Sequence, residues 1–465
     1  MGVDASGRRL SVRALLVACV VAAAPNVARA ESLHSVVQQT LDTNPELQSL
    51  RYNRQAIDHE LRAARGLNLP SVDATSGIGA DWNKNKDGVT NNITENEWHR
   101  RREIGGIASQ RLFDGFESRY EIERQKNRVE SARWRVADTA NSIALRAVQA
   151  YLEMQRAQAV LAAARGNLNA LQSLATRVRS RVAAGRGNAG EESEAGARLE
   201  NGRALLAEAQ ARVRDADALF RSIVGQPPRE LAPVTAPRRL VPASIDTAVA
   251  DSVRFAPSVI ATQHDTYAAE AAIGTAQSRL FPRVNLEVTG DHGLGVTQRN
   301  DRQSEASAMV VVRWNLFNGG IDKARIGEAK ARAMEAAEIS ANTQRIIERE
   351  VRTSWSAILA AEQRVPALSR QLELNRSTRN VYNQQFDAGQ RRLLDLLDIQ
   401  NETFVTEASL RTEELIGRYN TFRVLAAMGR LVEALGLDLP GEAATPHAAG
   451  LLDGWHTETR PVSQK

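Results

Sequence analysis

The chain has 465 residues, 43% apolar, 25% charged and 5% aromatic: enough apolar material for a core, and too much for wholesale disorder or collagen-like structure. Its one cysteine, Cys19, excludes a disulfide framework, and no Cys/His cluster has zinc spacing. Of 60 Lys+Arg and 55 Asp+Glu, four Arg and one Asp fall in residues 1–30, leaving 56 against 54, so the formal charge of +5 is no sign of a nucleic-acid partner.

The first thirty residues read as a Sec signal peptide. Arg8, Arg9 and Arg13 give a basic start, Ala14 to Ala24 an apolar run, and Ala28-Arg29-Ala30 small residues ahead of Glu31, so cleavage is expected after Ala30. The apolar run is too short to cross a bilayer as a helix. Leu16-Val17-Ala18-Cys19 offers a competing lipoprotein site, disfavoured because Arg13 stands just before it and the run continues past it. No later stretch is apolar for about eighteen residues, so membrane insertion would have to use strands.

The remainder is one unit written twice. Leu112-Phe113-Asp114-Gly115 recurs as Leu316-Phe317-Asn318-Gly319, Ala184-Gly185 as Ala388-Gly389, and Ile223-Val224-Gly225 as Ala427-Met428-Gly429, all at an offset of 204. Upstream, Asn44-Pro45-Glu46-Leu47 answers Ala256-Pro257-Ser258-Val259, and Leu69-Pro70 answers Phe281-Pro282, at 212. The first repeat is placed at 31–225 and the second at 244–436. A proline-rich linker, 226–243, separates them, and a flexible tail is expected over 437–465.

Within each repeat a helical stretch comes first (Leu33 to about Leu67; Ile245 to Leu280) and ends at Leu-Pro or Phe-Pro. Two alternating segments follow, expected as strands at about 70–82 and 103–113, then at about 282–290 and 307–317. Val72, Ala74, Ser76, Ile78, Ala80 and Trp82 share one face of the first, and Ala308, Val310, Val312, Trp314 and Leu316 one face of the last. Ten such residues suffice for a transmembrane barrel strand, although a hairpin on a soluble sheet has the same pattern. Long helices come next, over 116–183 and 321–387, with Ile122, Val129, Val136 and Ile143 in heptad spacing. Pro366 is expected to kink the second. Partner helices return from about Glu192 to Ile223 and from Leu393 to Leu435. The fold class is therefore mainly α with a transmembrane β part: a duplicated unit of coiled-coil helices plus a two-stranded hairpin.

This organisation resembles the TolC family of outer-membrane channel proteins. The residues that carry the likeness are Asn44-Pro45-Glu46-Leu47, Leu69-Pro70, Gln110-Arg111-Leu112-Phe113-Asp114-Gly115, Asn315-Leu316-Phe317-Asn318-Gly319-Gly320, and above all Ala388-Gly389 followed by Leu393-Leu394-Asp395-Leu396-Leu397-Asp398. The resemblance implies a homotrimer whose twelve strands close one outer-membrane barrel, continued by a helical tunnel into the periplasm. It also implies a periplasmic adaptor and an inner-membrane transporter as partners, outer-membrane lipid around the barrel, and no cofactor. The Gln110–Gly115 turn looks like that of the type I secretion branch. That branch implies an ABC transporter and an exported protein of the RTX type, a toxin or adhesin. A multidrug or metal efflux duct, served by an RND pump, is the alternative, and a periplasmic coiled-coil adaptor is a third reading.

On the same resemblance, Asp395 and Asp398 match acids at the periplasmic mouth, where a trimer would make rings of three carboxylates, and Glu191 is their counterpart in the first repeat. Read from the residues alone, they are solvated acids near a helix start. Arg391 falls on a basic latch position, with Phe386 where a Tyr is common. The turns at Gly185 and Gly389, with Leu393, are expected to face the adaptor, although Leu393 serves equally well as core. Trp82, Trp98 and Trp314 could form an interfacial belt, whereas Trp134 and Trp355 read as packing residues. No phosphate loop, nucleophile elbow or catalytic acid pair is present, so an enzyme is the poorest reading.

Overall fold

The computed structural model describes residues 30–443 except 83–84, 87–92, 96–97 and 297–301. The expected signal peptide up to Arg29 and the tail after Ala443 lie outside the described residues. In chain order the elements are α1 (Leu33–Thr43), α2 (Pro45–Gly66), β1 (Ser71–Trp82), β2 (Asn85–Lys86), β3 (Ile93–Glu95), β4 (Trp98–Phe113), α3 (Glu117–Ala183) and α4 (Ala189–Val224). The second half gives α5 (Ile245–Phe255), α6 (Pro257–Gln277), β5 (Arg283–Leu294), β6 (Arg302–Arg313), α7 (Ile321–Asp387), α8 (Leu393–Ala427) and the short α9 (Leu431–Ala434).

Each half opens with two helices where the hydrophobic pattern suggests one. Proline disfavours helical backbone in the residue before it and supplies no N–H to the preceding turn. Asn44 therefore turns extended and caps α2, its Oδ1 accepting from the N–H groups of Glu46 and Leu47. Ala256 does the same before Pro257 without a side-chain cap.

The four long strands form one antiparallel sheet in the order β1-β4-β5-β6. β4 starts at Trp98, earlier than the alternation suggests, because backbone pairing continues from Ile78↔Arg102 to Trp82↔Trp98 whatever the side chains. β5 likewise runs on to Leu294. β6 is displaced from the expected 307–317. Trp314 leaves the ladder, and its indole N–H donates to the Leu280 carbonyl at 3.1 Å.

Two rods dominate the rest. α3 and α7 have 67 residues each, about 100 Å at 1.5 Å per residue. α7 passes through Pro366 without a break in its helix. The duplication is visible in the backbone: Gly115 and Gly319 (φ +67° and +70°), Gly185 and Gly389 (+68° and +76°), and Gly225 and Gly429 (+82° and +72°) are all left-handed. Each pair marks the same corner of its repeat. At Gly429 this ends the returning helix at Ala427, short of the expected Leu435, and brings the glycine against the Pro257 ring.

The main core lies where α1 and α9 pack around the middle of α3 and the end of α8 and α5 packs on α7, with Val36, Val136, Ile143, Tyr151, Phe422 and Leu431 buried. Asn141, inside α3, accepts from the N–H groups of Leu431 and Val432 and so caps α9. The Tyr151 hydroxyl lies 2.7 Å from the carbonyl oxygens of both Glu31 and Ala232, and burial pushes its pKa up to about 12. These contacts tie Glu31 and the linker to α3. The residues after Gly436 are not loose at first: Leu437 and Ala443 are buried, and Glu442 pairs with Arg51 at 2.8 Å.

Asp138, on α3, has its pKa raised by burial. A raised carboxylate favours the fold fully below its unfolded value and loses that contribution as pH rises through its folded value. Asp138→Asn should therefore raise the melting temperature by roughly 1–3 °C at pH 7, with no gain below about pH 4. An equal gain at both pH values would remove the electrostatic explanation.

Candidate functional site

The sheet has two unlike faces. On one, Val72, Ala74, Ile78, Ile104, Ala108, Leu286, Val288, Val310 and Val312 are aligned by the register. Val72, Ile78, Ile104, Val310 and Val312 are exposed in the single chain. On the other, Glu287 binds Arg313 at 2.8 Å, Thr289 bonds Ser307 at 2.6 Å, and Arg101 binds Glu103 at 2.7 Å. Such a sheet suits lipid on one side and water on the other. The outer edges of β1 and β6 pair with no further strand among the described residues. Trp314 is exposed near the helical end, and Trp82 and Trp98 face each other at the far end.

Strand passes into rod at a capped corner. In the first repeat Asp114 accepts from the hydroxyl and N–H of Ser118 and from Arg111 at 3.2 Å. Burial alone would raise its pKa, but these bonds outweigh it and hold Asp114 below the usual carboxylate range. In the second repeat the roles exchange: the Asn318 amide donates to Asp322 at 2.6 Å, four residues on.

At the opposite end of the rods, α3 to α4 and α7 to α8 turn at Gly185 and Gly389. A small core there joins Leu171, Val178, Phe386, Leu393, Leu396 and Leu397. Leu393 and Phe386 are each only 3% exposed. Leu393 is therefore tip core and not an open contact, and Phe386 does not meet Arg391. The Arg181 guanidinium sits 4.5 Å from the Phe386 ring, and its Nη1 donates to the Phe386 carbonyl at 2.5 Å. Arg391 stacks instead on Tyr382, 3.9 Å from the ring centre, and bonds Gln385. The aromatic partner thus sits one helical turn earlier than the motif placed it.

The three acids singled out in the sequence have different roles. Glu191 closes a capping box with Asn188 at the start of α4 and is spent on that local bond. Asp395 is held by Arg391 at 3.6 Å and Arg392 at 3.2 Å, its side chain 23% exposed. Asp398 reaches Arg198 of α4 at 3.5 Å and is 62% exposed. Arg177 binds Asp387 at 3.1 Å, joining the two rods near their ends. The pattern is a mixed-charge collar, not a set of free carboxylates. Arg198 and Arg177 went unread in the sequence because their partners lie about two hundred residues away.

The chain matches the outer membrane efflux protein family over residues 36–226 and 254–415, that is, through both repeats. It belongs to that family. The outer membrane efflux protein BepC of Brucella suis biovar 1 is 24% identical over 431 residues, 92% of each chain. Among solved structures, the outer-membrane channel OprN superposes with a TM-score of 0.74 at 22% identity, covering 86% of this chain and 90% of that one. The open state of the MtrE outer membrane channel of Neisseria gonorrhoeae gives 0.73 at 19%, covering 89% and 91%. This outer membrane efflux protein has the TolC fold of these channels: the sheet sits in the outer membrane and the rods extend into the periplasm. Between α3, α7 and α8 of the efflux protein runs a groove of about 1050 Å³, whose arginines are largely paired, Arg376 with Glu407 at 2.9 Å and Arg411 with Glu414 at 3.2 Å.

Proposed function

We propose that three copies of the chain close a twelve-stranded barrel over a helical tunnel and serve as the exit duct of an efflux system, engaged at the tips by a periplasmic adaptor and fed by an inner-membrane transporter. The observation that carries this reading is the open four-stranded sheet. Its lipid-suited face and unpaired edges cannot be left in a bilayer, so closure by further copies is physically required. Arg391, stacked on Tyr382 and paired with Asp395, acts as the latch of the closed mouth, and Asp398 supplies its most open ring of charge. The turns at Gly185 and Gly389 present Arg186 and Leu394, not Leu393, to the adaptor.

A second reading, export of an RTX-type protein with an ABC transporter, is favoured by the Gln110–Gly115 turn. The structure gives that turn a capping task at the strand-to-rod corner, so the turn does not decide the cargo, and the match to the outer membrane efflux protein family makes efflux the preferred reading.

Purified mature protein in a planar bilayer should give stable conductance steps. A strain lacking it should become sensitive to small toxic compounds while still secreting protein substrates. Absence of steps from a folded trimer would overturn the duct. Lost protein secretion with unchanged sensitivity would replace efflux with the second reading.

A further inference from the structure

All charge on the lipid-suited face of the sheet lies at its far end. Read along cross-strand pairs from the helical side, the rows run Val284 with Val312, Leu286 with Val310, Val288 with Ala108 and Ala308, and Gly290 with Gly106 and Ala306. Next comes His292 with Ile104 and Ser304. Beyond it, Leu294 stands between Arg102 and Arg302, then Arg100 faces Ala80, and Trp98 faces Trp82. Among the described residues this face carries no Asp or Glu, whereas the water-suited face holds Asp73, Glu103, Glu287, Asp291 and Glu305. Acid is therefore confined to the water-suited face, where Arg101, Arg111, Arg283 and Arg313 accompany it, whereas the lipid-suited face carries base alone and only at its far end.

Ten residues separate Val312 from Arg302, about 34 Å along the strand, or about 25 Å of height at barrel tilt. The arginines thus stand where the hydrocarbon ends on the outer side. Arg102 and Arg302 are two strands apart, about 10 Å, and Arg100 lies about 7 Å further along β4. All three are exposed, and none has an ion-pair partner among the described residues. A guanidinium at this depth gains most from an anion that arrives with the lipid, and its planar fork matches phosphate oxygens two at a time.

We propose that Arg100, Arg102 and Arg302 form a docking surface for the phosphate groups of the anionic glycolipid of the outer leaflet. Trp98 and Trp82 bracket it on the outer side, and the His292–Ser304 pair (2.8 Å) on the inner. The inference rests on the barrel reading above, which fixes this face toward lipid.

The test is a titration of the detergent-solubilised full protein with lipid A carrying both phosphates, followed by tryptophan fluorescence. Arg100→Gln/Arg102→Gln/Arg302→Gln should weaken binding about tenfold or more. Arg101→Gln, one residue away on the water-suited face, should leave it unchanged. Dephosphorylated lipid A should bind the wild type as weakly as phosphorylated lipid A binds the triple variant, and millimolar inorganic phosphate should not compete fully. Equal binding by wild type and triple variant, equal loss in Arg101→Gln, or indifference to the phosphates would overturn the proposal. Conductance recorded on the same samples separates this failure from that of the barrel, because a wrong lipid site leaves the steps intact. Size-exclusion and melting profiles of the triple variant should match the wild type, since all three side chains are exposed.

Discussion

Gly115→Ala should prevent stable assembly of the channel, with a loss of about 2–4 kcal/mol per chain from left-handed strain and overpacking together. The residue has φ +67°, and a Cβ there would stand 2.5 Å from the Ser278 carbonyl oxygen and 2.8 Å from the Phe281 Cβ. Ser278 and Phe281 lead from α6 into β5, so the clash falls where the two repeats meet at the membrane boundary. The backbone would have to move, and a flexible side chain could not absorb the change.

Gly319 is the matched control. Its φ is +70°, yet nothing lies within 4 Å of its added Cβ in the single chain. Gly319→Ala should cost the chain itself only the local strain, about 1–2 kcal/mol. If β6 pairs with β1 of a neighbour as β4 pairs with β5, the repeat offset places Gly319 against the turn after α2 in that neighbour. Gly319→Ala should then spare the helical content and reduce the heat-resistant trimer. Thermal melts and gel mobility of unheated samples read both effects. Trimer yield equal to wild type in Gly319→Ala would refute closure by that pairing, and an unchanged melt in Gly115→Ala would refute the corner.

Much of this architecture was legible because its signals are local or periodic. Gly115, Gly185 and Gly225 repeat at a fixed offset because each corner needs a left-handed residue, and glycine meets that need at least cost. The rods show in the heptads of Val129, Val136 and Ile143. Strand limits were less legible: residues 98–102 are mostly charged or bulky, and only the pairing with Ile78–Trp82 shows that they continue the ladder. Helix breaks at Asn44 and Gly429 were hidden for a different reason, since apolar periodicity runs through both and a single backbone angle decides them. At the tip, the motif located Asp395, Asp398 and Arg391 but could not reveal that Arg198 and Arg392 partly neutralise the acids, or that Phe386 is buried under Arg181. Those facts depend on how two repeats pack, and no window of sequence contains them.

The mixed-charge collar makes a prediction that a ring of free acids does not. Asp398→Asn should lower cation selectivity in the planar bilayer more than Asp395→Asn, because Asp398 is the more exposed and has one distant partner, whereas Asp395 is flanked by two arginines. Arg391→Ala should raise the open probability. It removes the stacking on Tyr382 and the contacts to Asp395 and Gln385, each partly screened by solvent, so the loss is about 0.3–1 kcal/mol per chain. Three symmetric copies add to about 1–3 kcal/mol, an expected 5- to 150-fold shift toward the open state. Tyr382→Leu should reproduce part of this shift and Phe386→Leu should not, since Phe386 meets Arg181 on the other rod and its loss would loosen the tip core instead. High salt should shrink the Arg391→Ala effect, because exposed ion pairs are screened within about 10 Å at 0.1 M. An Arg391→Ala channel with wild-type open probability at low salt would leave the mouth to be closed by the rods' packing alone. In that case Arg177→Ala, which breaks the Asp387 contact between the rods at 3.1 Å, becomes the variant expected to open it.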